Sequence, residues 1–233
     1  MTTDLLSAAA HHTKDIDPEL VRICREPGAI TPEAMTIAEA GREVARKIVG
    51  DNSPEDKIRQ RCVVATGDPA FKDLLVFCND PIVAGLQAIS TGVPVFTDIR
   101  MVLTGIIKTG HNCRIQCVLD LKGASELARD CGITRTSAGF LTAAQDLQDA
   151  VVVIGNAPSA AITMSRIVEY GIRPTLIVAV PVGFVNAAES KQKVRELDIP
   201  SITCTGTRGG TPVAVACINE LIVMPGKQKV NGH

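Results

Sequence analysis

Thr175-Leu176-Ile177-Val178-Ala179-Val180-Pro181-Val182-Gly183-Phe184-Val185-Asn186-Ala187-Ala188-Glu189-Ser190-Lys191 is the stretch that decides the fold. Leu176 to Val180 is apolar throughout, as a strand buried on both faces requires. A turn follows, and a helical pattern runs from Ala187 to Leu197. The same arrangement occurs twice more. Val151 to Ile154 ends in Gly155-Asn156-Ala157-Pro158-Ser159, and Ser201 to Thr205 ends in Gly206-Thr207-Arg208-Gly209-Gly210-Thr211. Open parallel sheets place their ligands at such strand-to-helix turns. Three of them on one sheet edge make a polar floor too wide for a small substrate.

Outward from these turns, strand and helix patterns alternate. Thr31-Pro32-Glu33 is a helix start, and Met35, Ile37, Val44, Ala45, Ile48 and Val49 form an apolar stripe down to Gly50. The patterns then predict a strand over Arg61–Thr66, helices over Pro69–Phe77 and Pro81–Ser90, and a strand over Val93–Thr97. A helix over Met101–Thr109, a strand over Arg114–Leu119 and helices over Gly123–Asp130 and Ser137–Leu147 complete the series. This is the pattern of a three-layer, doubly wound α/β fold with a mainly parallel sheet. An irregular arm, residues 1–31, precedes one α/β domain over residues 32–233, without linker or repeat.

Composition excludes several functions. With one Tyr and no Trp, the chain lacks the stacking side chains of a single-stranded nucleic-acid binder. A net charge of −1 without a basic run gives a phosphate backbone nothing to bind, so no nucleic-acid partner is expected. The N-terminus does not read as a signal peptide. No apolar run reaches the ~18 residues of a membrane helix. A cytoplasmic protein without membrane contact is expected. The eight cysteines (Cys24, Cys62, Cys78, Cys113, Cys117, Cys131, Cys204 and Cys217) are scattered, which favours buried reduced thiols over disulfides. No metal-ligand spacing is present.

Each turn brings a helix N-terminus, with its free N–H groups and dipole, to the same edge. Gly206, Gly209 and Gly210 let backbone approach a ligand, and Arg208 suits a carboxylate. Lys191, Arg100 and Arg135 add charge if they reach the edge. Taken singly, each turn has an ordinary explanation: glycines end strands, Asn156 and Ser159 cap a helix, and basic side chains are solvated. Together they favour a site. There is no GxGxxG or GxxxxGK[ST], so a dinucleotide site is not expected. The histidines (His11, His12, His111 and His233) form no triad with a nucleophile. Asp98 follows a strand end, where it either serves the site or caps the next helix.

These residues also carry a resemblance. Val153-Ile154-Gly155-Asn156-Ala157-Pro158-Ser159-Ala160, Val180-Pro181-Val182-Gly183-Phe184-Val185-Asn186 through Glu189-Ser190-Lys191, Gly132-Ile133-Thr134-Arg135 and Arg208-Gly209-Gly210 resemble the precorrin-8X methylmutase family of cobalamin biosynthesis. Thr97-Asp98 and Gly105-Ile106-Ile107-Lys108 match less closely, and the resemblance spans about residues 32–222. It implies a flavodoxin-like fold and a homodimer with sites near the subunit interface. It implies an isomerase that moves a methyl group from C11 to C12 of a corrin precursor, giving hydrogenobyrinic or cobyrinic acid. No redox cofactor and no protein-bound metal are implied, and the substrate is a corrin-type tetrapyrrole polycarboxylate. The matching positions make Thr97, Asp98, Arg135, Asn156, Ser159, Asn186, Glu189, Ser190, Lys191, Arg208, Gly209 and Gly210 the substrate-binding candidates, and Arg100, at a position that departs from the family, is added to them.

The chain departs from the family at the position that matters most for chemistry. Where the family carries a histidine in an Arg-Val-Ile-His-Thr-Thr-Ala-Asp pattern, this chain reads Arg61-Cys62-Val63-Val64-Ala65-Thr66-Gly67-Asp68, with Val64 at the histidine. Losing a general acid costs on the order of 10²–10⁴-fold. Glu39 and Ala40 replace a Ser-Phe pair, and Arg100 replaces an asparagine. Three readings compete. The first is a methylmutase with a substitute acid: Glu39, Asp68 or His111. The second is a corrinoid-binding relative without the mutase step, serving as carrier or product-binding protein. The third is an enzyme for a different tetrapyrrole or polycarboxylate, with Arg100 as a new contact.

Overall fold

A computed structural model describes residues 32–230, with side-chain environments for residues 36–224. The chain divides into two compact units, residues 1–44 and 45–233. Helix α1 (Pro32–Val49) supplies the described part of the first and continues into the second.

Helix α2 (Pro54–Thr66) begins at Ser53, which accepts the Asp56 N–H while the Asp56 carboxylate accepts the Ser53 N–H. This is a reciprocal capping box, with proline in the first turn. The helix overturns the strand expected over Arg61–Thr66. Val63 and Val64 have strand propensity, but a capped start and a buried face of Ile58, Cys62 and Val63 outweigh it. A short helix α3 (Phe71–Leu74) then leads into strand β1 (Leu75–Cys78), in place of the single helix expected over Pro69–Phe77. The order continues with α4 (Pro81–Thr91), β2 (Val95–Thr97), α5 (Arg100–Gly105), β3 (Ile115–Cys117), α6 (Ala124–Asp130) and α7 (Arg135–Thr142). It closes with β4 (Val151–Ile154), α8 (Pro158–Glu169), β5 (Leu176–Ala179), α9 (Ala187–Arg195), β6 (Ser201–Cys204) and α10 (Thr211–Val230).

Among the described residues six strands form one sheet in the order β1-β6-β5-β4-β2-β3. β1 pairs antiparallel with β6, Leu75 opposite Cys204. The other pairings are parallel, with Val95 opposite both Ile115 and Val151, Val151 opposite Leu176, and Ile177 opposite Ser201. The five parallel strands therefore follow the flavodoxin-like order 2-1-3-4-5. The chain reverses its direction across the sheet between β2 and β4. That is the topological switch point, and its carboxyl-end crevice is the usual ligand position of such folds.

Both faces of the sheet are covered. Val151, Val153, Val178 and Ile202 pack with Cys62 of α2, Ile82 of α4, Val102 of α5 and Leu221 of α10. The alternate residues Val152, Ile154, Ile177 and Ala179 pack with Phe140 of α7, Met164 of α8 and Val194 of α9. This alternation is the two-residue period of a strand, and it produces three layers. Among the described residues no helix is long and apolar enough to cross a membrane. The described cysteines are free thiols, of which Cys131 is exposed.

Candidate functional site

The three turns lie at the carboxyl edge of the sheet, after β4, β5 and β6. Main-chain bonds tie the second and third together. The Gly183 N–H donates to Thr207 O at 3.0 Å, and the Gly210 N–H donates to Val180 O at 2.7 Å. Gly209 has φ +148°, and a Cβ there would stand 2.2 Å from Val180 O. Its glycine is thus required by the protein's own β5 end, rather than by a ligand as the sequence suggests. A fourth segment joins the first turn: Thr134, the N-cap of α7, bonds Ser159 of α8 through their hydroxyls at 2.9 Å. This carries Arg135 to the turn containing Asn156. The C-terminal end of α2 reaches the same edge, because Asp68 pairs with Arg208 at 3.1 Å.

Burial separates the candidates into two groups. Arg100, Arg135, Asn156, Asn186, Glu189 and Arg208 are exposed, and Ser159 is partly so. Thr97, Asp98, Ser190, Lys191 and Gly210 are buried. Thr97 Oγ1 donates to Ile99 O, and Ser190 Oγ donates to Ala187 O. Their hydroxyls serve the chain's own backbone. Arg100 is held by Asp120, with Nε donating to Oδ1 at 2.7 Å, so it is not a free cation for a substrate. Arg135 has no ion-pair partner among the described residues.

Lys191, a substrate-binding candidate by its motif, points into the fold instead. Ala187, Ser190, Lys191 and Val194 form the buried face of α9. Its Nζ donates to Arg208 O at 2.5 Å and lies 3.4 Å from Cys204 Sγ. Burial pushes its pKa below 10.5, opposed by the neighbouring Cys204. Burial also raises the Cys204 thiol above its ordinary value, against the pull of Lys191. The Cys204 thiol donates to the same Arg208 carbonyl at 3.1 Å. Lys191 therefore braces the third turn from below.

Asp98 lies just beyond β2 and is fully buried. Its Oδ1 accepts the Gly155 N–H at 3.1 Å, and Oδ2 accepts the N–H groups of Asn156 at 2.8 Å and Ala157 at 2.9 Å. Desolvation raises its pKa, opposed by these bonds.

Val64 is 48% exposed at the C-terminal end of α2. The three proposed substitute acids have different fates. His111 precedes β3, at the amino edge of the sheet and away from the turns. Both its ring nitrogens are engaged, Nε2 with Ile107 O at 2.6 Å and Nδ1 with the Cys113 N–H at 3.0 Å. It is removed as a candidate. Asp68 stays at the edge beside Arg208, with Oδ1 also accepting the Ala70 N–H. Glu39 is exposed on α1, within the first unit.

Sequence reasoning missed an apolar component. Met101, Val182, Phe184 and Val185 are exposed, as is Val64, with Phe184 96% accessible. The signal is present in the chain, since Val182, Phe184 and Val185 occupy a turn where polar residues are usual. An apolar groove of about 620 Å³ also runs between α7 and α8, lined by Ile133, Leu141, Ile162 and Tyr170 among others, Thr134 and Ser159 included.

The whole surface is a broad edge that carries exposed arginines and amides together with exposed apolar side chains. Comparison with known proteins gives it a context. The precorrin-8X methylmutase family model (CbiC) matches residues 36–224. Cobalt-precorrin-8 methylmutase of Methanocaldococcus jannaschii is 42% identical over 212 residues, covering 87% of this chain and 99% of that one. Precorrin-8X methylmutase of Pseudomonas aeruginosa is 33% identical over 171 residues, covering 71% and 82%. The crystal structure of precorrin-8X methylmutase from Thermus thermophilus superposes with a TM-score of 0.77 at 29% identity, over 85% of this chain and 100% of that one. The shared fold and the sequence identity over most of the length place this chain in the precorrin-8X methylmutase family of isomerases.

Proposed function

We propose that the chain catalyses the methylmutase step on precorrin-8 or its cobalt form, moving the methyl group from C11 to C12 of the macrocycle. One C–C bond breaks and another forms within the same molecule, so mass and redox state are unchanged and no cofactor is called for. The product is hydrogenobyrinic acid, or cobyrinic acid if cobalt is present. The observation that carries this reading is the composition of the carboxyl edge. Arg135, Asn156, Ser159, Asn186, Glu189 and Arg208 share it with exposed Val64, Val182 and Phe184. A flat apolar ring fringed with carboxylates has a matching make-up. Guanidinium groups suit the carboxylates, and the apolar side chains suit the ring face.

Val64 does not turn this reading into one of a carrier, because relatives 42% and 34% identical bear the methylmutase name. The proton is then supplied by a group other than residue 64. Asp68 is the proposed substitute acid that the described fold holds at the edge. A homodimer in the cytoplasm, without nucleic-acid or membrane partners, belongs to the same reading. The test is to mix the purified protein with cobalt-precorrin-8 and with precorrin-8, following absorbance and product mass. The expected result is a spectral change at constant mass. An unchanged spectrum with both substrates overturns the proposal.

A further inference from the structure

The buried carboxylate of Asp98 occupies the place where this fold class usually receives its ligand. It stands at the end of β2 and reaches across the switch point to the turn after β4. There it takes three successive N–H groups, from Gly155, Asn156 and Ala157, at 2.8–3.1 Å. Its own N–H donates to Val153 O at 3.2 Å, fixing it against β4. Helix α8 has 12 residues and, at Ala157, an N-cap with no side-chain bond. Asp98 supplies that cap from a distant strand. No basic side chain pairs with it among the described residues, so its charge is met by backbone dipoles and the helix N-terminus.

Two consequences follow for the edge above it. The Asn156 N–H is turned down to Asp98, which leaves the exposed Asn156 side chain presented to the edge. The anion-favouring end of α8 is already filled, so a substrate carboxylate gains nothing there. Of the candidate arginines at the edge, Arg135 has no ion-pair partner among the described residues, whereas the exposed Arg208 is shared with Asp68. Given the methylmutase reading above, we propose that Asp98 is a positioning residue. It orients Asn156 for the bound macrocycle and, by filling the switch-point anion site, directs the substrate carboxylates to the arginine-bearing turns.

The test uses Asp98→Ala and Asp98→Asn in the full chain, each alone and combined with Asn156→Ala. Sodium formate is compared with sodium chloride at equal ionic strength. Asp98→Ala is expected to unfold at a lower temperature, with formate but not chloride raising the midpoint, while the wild type shows no formate effect. Turnover is expected to fall about 10- to 100-fold from misplacement of Asn156, recovering several-fold in formate. Because Asp98 acts through Asn156, the same change in an Asn156→Ala background is expected to cost little more. Formate acting no better than chloride, with losses that multiply, overturns the proposal. Should Asp98→Ala not fold, Asp98→Asn decides. Reduced kcat that fails to multiply with Asn156→Ala supports the role, and unchanged kcat overturns it. If the wild type itself shows no turnover, the methylmutase reading fails separately, and the formate-dependent unfolding shift still decides whether Asp98 fills the anion site.

Discussion

Lys191 shows how a single residue is misplaced when a motif outranks a period. Its place in the Glu189-Ser190-Lys191 segment suggests a side chain that faces substrate. Yet Ala187, Ser190, Lys191 and Val194 have the i, i+3, i+4, i+7 spacing of an inward helix face, and burial follows that spacing. Its folded pKa is depressed below 10.5, so between the folded and unfolded values the unfolded chain binds more protons. Its contribution to stability therefore rises with pH across that window. Cys204 acts in the same direction in the comparison with Lys191→Met, since that variant loses the charge favouring the thiolate. Urea unfolding at pH 8 and pH 10 is expected to show wild type gaining relative to Lys191→Met; a constant difference would contradict the buried placement. Gly209 has the opposite history, legible as special but for another reason. Gly209→Ala puts a Cβ 2.2 Å from Val180 O at positive φ and is expected to cost about 2 kcal/mol or more in denaturant unfolding.

Elements were legible where the hydrophobic period was unambiguous. The apolar runs of β4, β5 and β6 and the helices that follow them needed nothing beyond the chain. Helix α2 is harder to read, because Val63-Val64 suggests a strand and the stripe of Ile58, Cys62 and Val63 is irregular. The Ser53-Pro54-Glu55-Asp56 start is the countersignal in the chain. Ser53→Ala is expected to destabilise by about 1 kcal/mol, measured by thermal unfolding. β1 is hidden for a different reason: Leu75-Val76-Phe77-Cys78 is an edge strand following a single helical turn, and its pairing with β6 comes from distant sequence. The turn after β5 contains Phe184, whose near-complete exposure means it contributes nothing to the core. Phe184→Ala is expected to leave thermal stability unchanged while weakening binding of hydrogenobyrinic acid about tenfold. Equal affinities would remove Phe184 from the site.

At the scale of the molecule, the sheet order 3-2-4-5-6 with β1 added antiparallel puts several segments of the chain at one edge. The position of that edge is readable from strand-to-helix turns alone. The division into residues that face a ligand and residues that support the floor is not, because Asp98 and Lys191 are placed by packing between elements far apart in sequence. The same architecture explains why Val64 matters: it is exposed at the end of α2, the end that reaches an edge whose arginines and amides remain in place. The central claim is that the chain isomerises its substrate without a histidine at that position. The most direct measurement is kcat for the C11-to-C12 isomerisation of cobalt-precorrin-8 by the wild type and by Val64→His, side by side. Wild-type turnover within about tenfold of the variant is the predicted result. A wild type with no turnover, beside a Val64→His variant that gains the roughly 10²–10⁴-fold expected of a general acid, would contradict it.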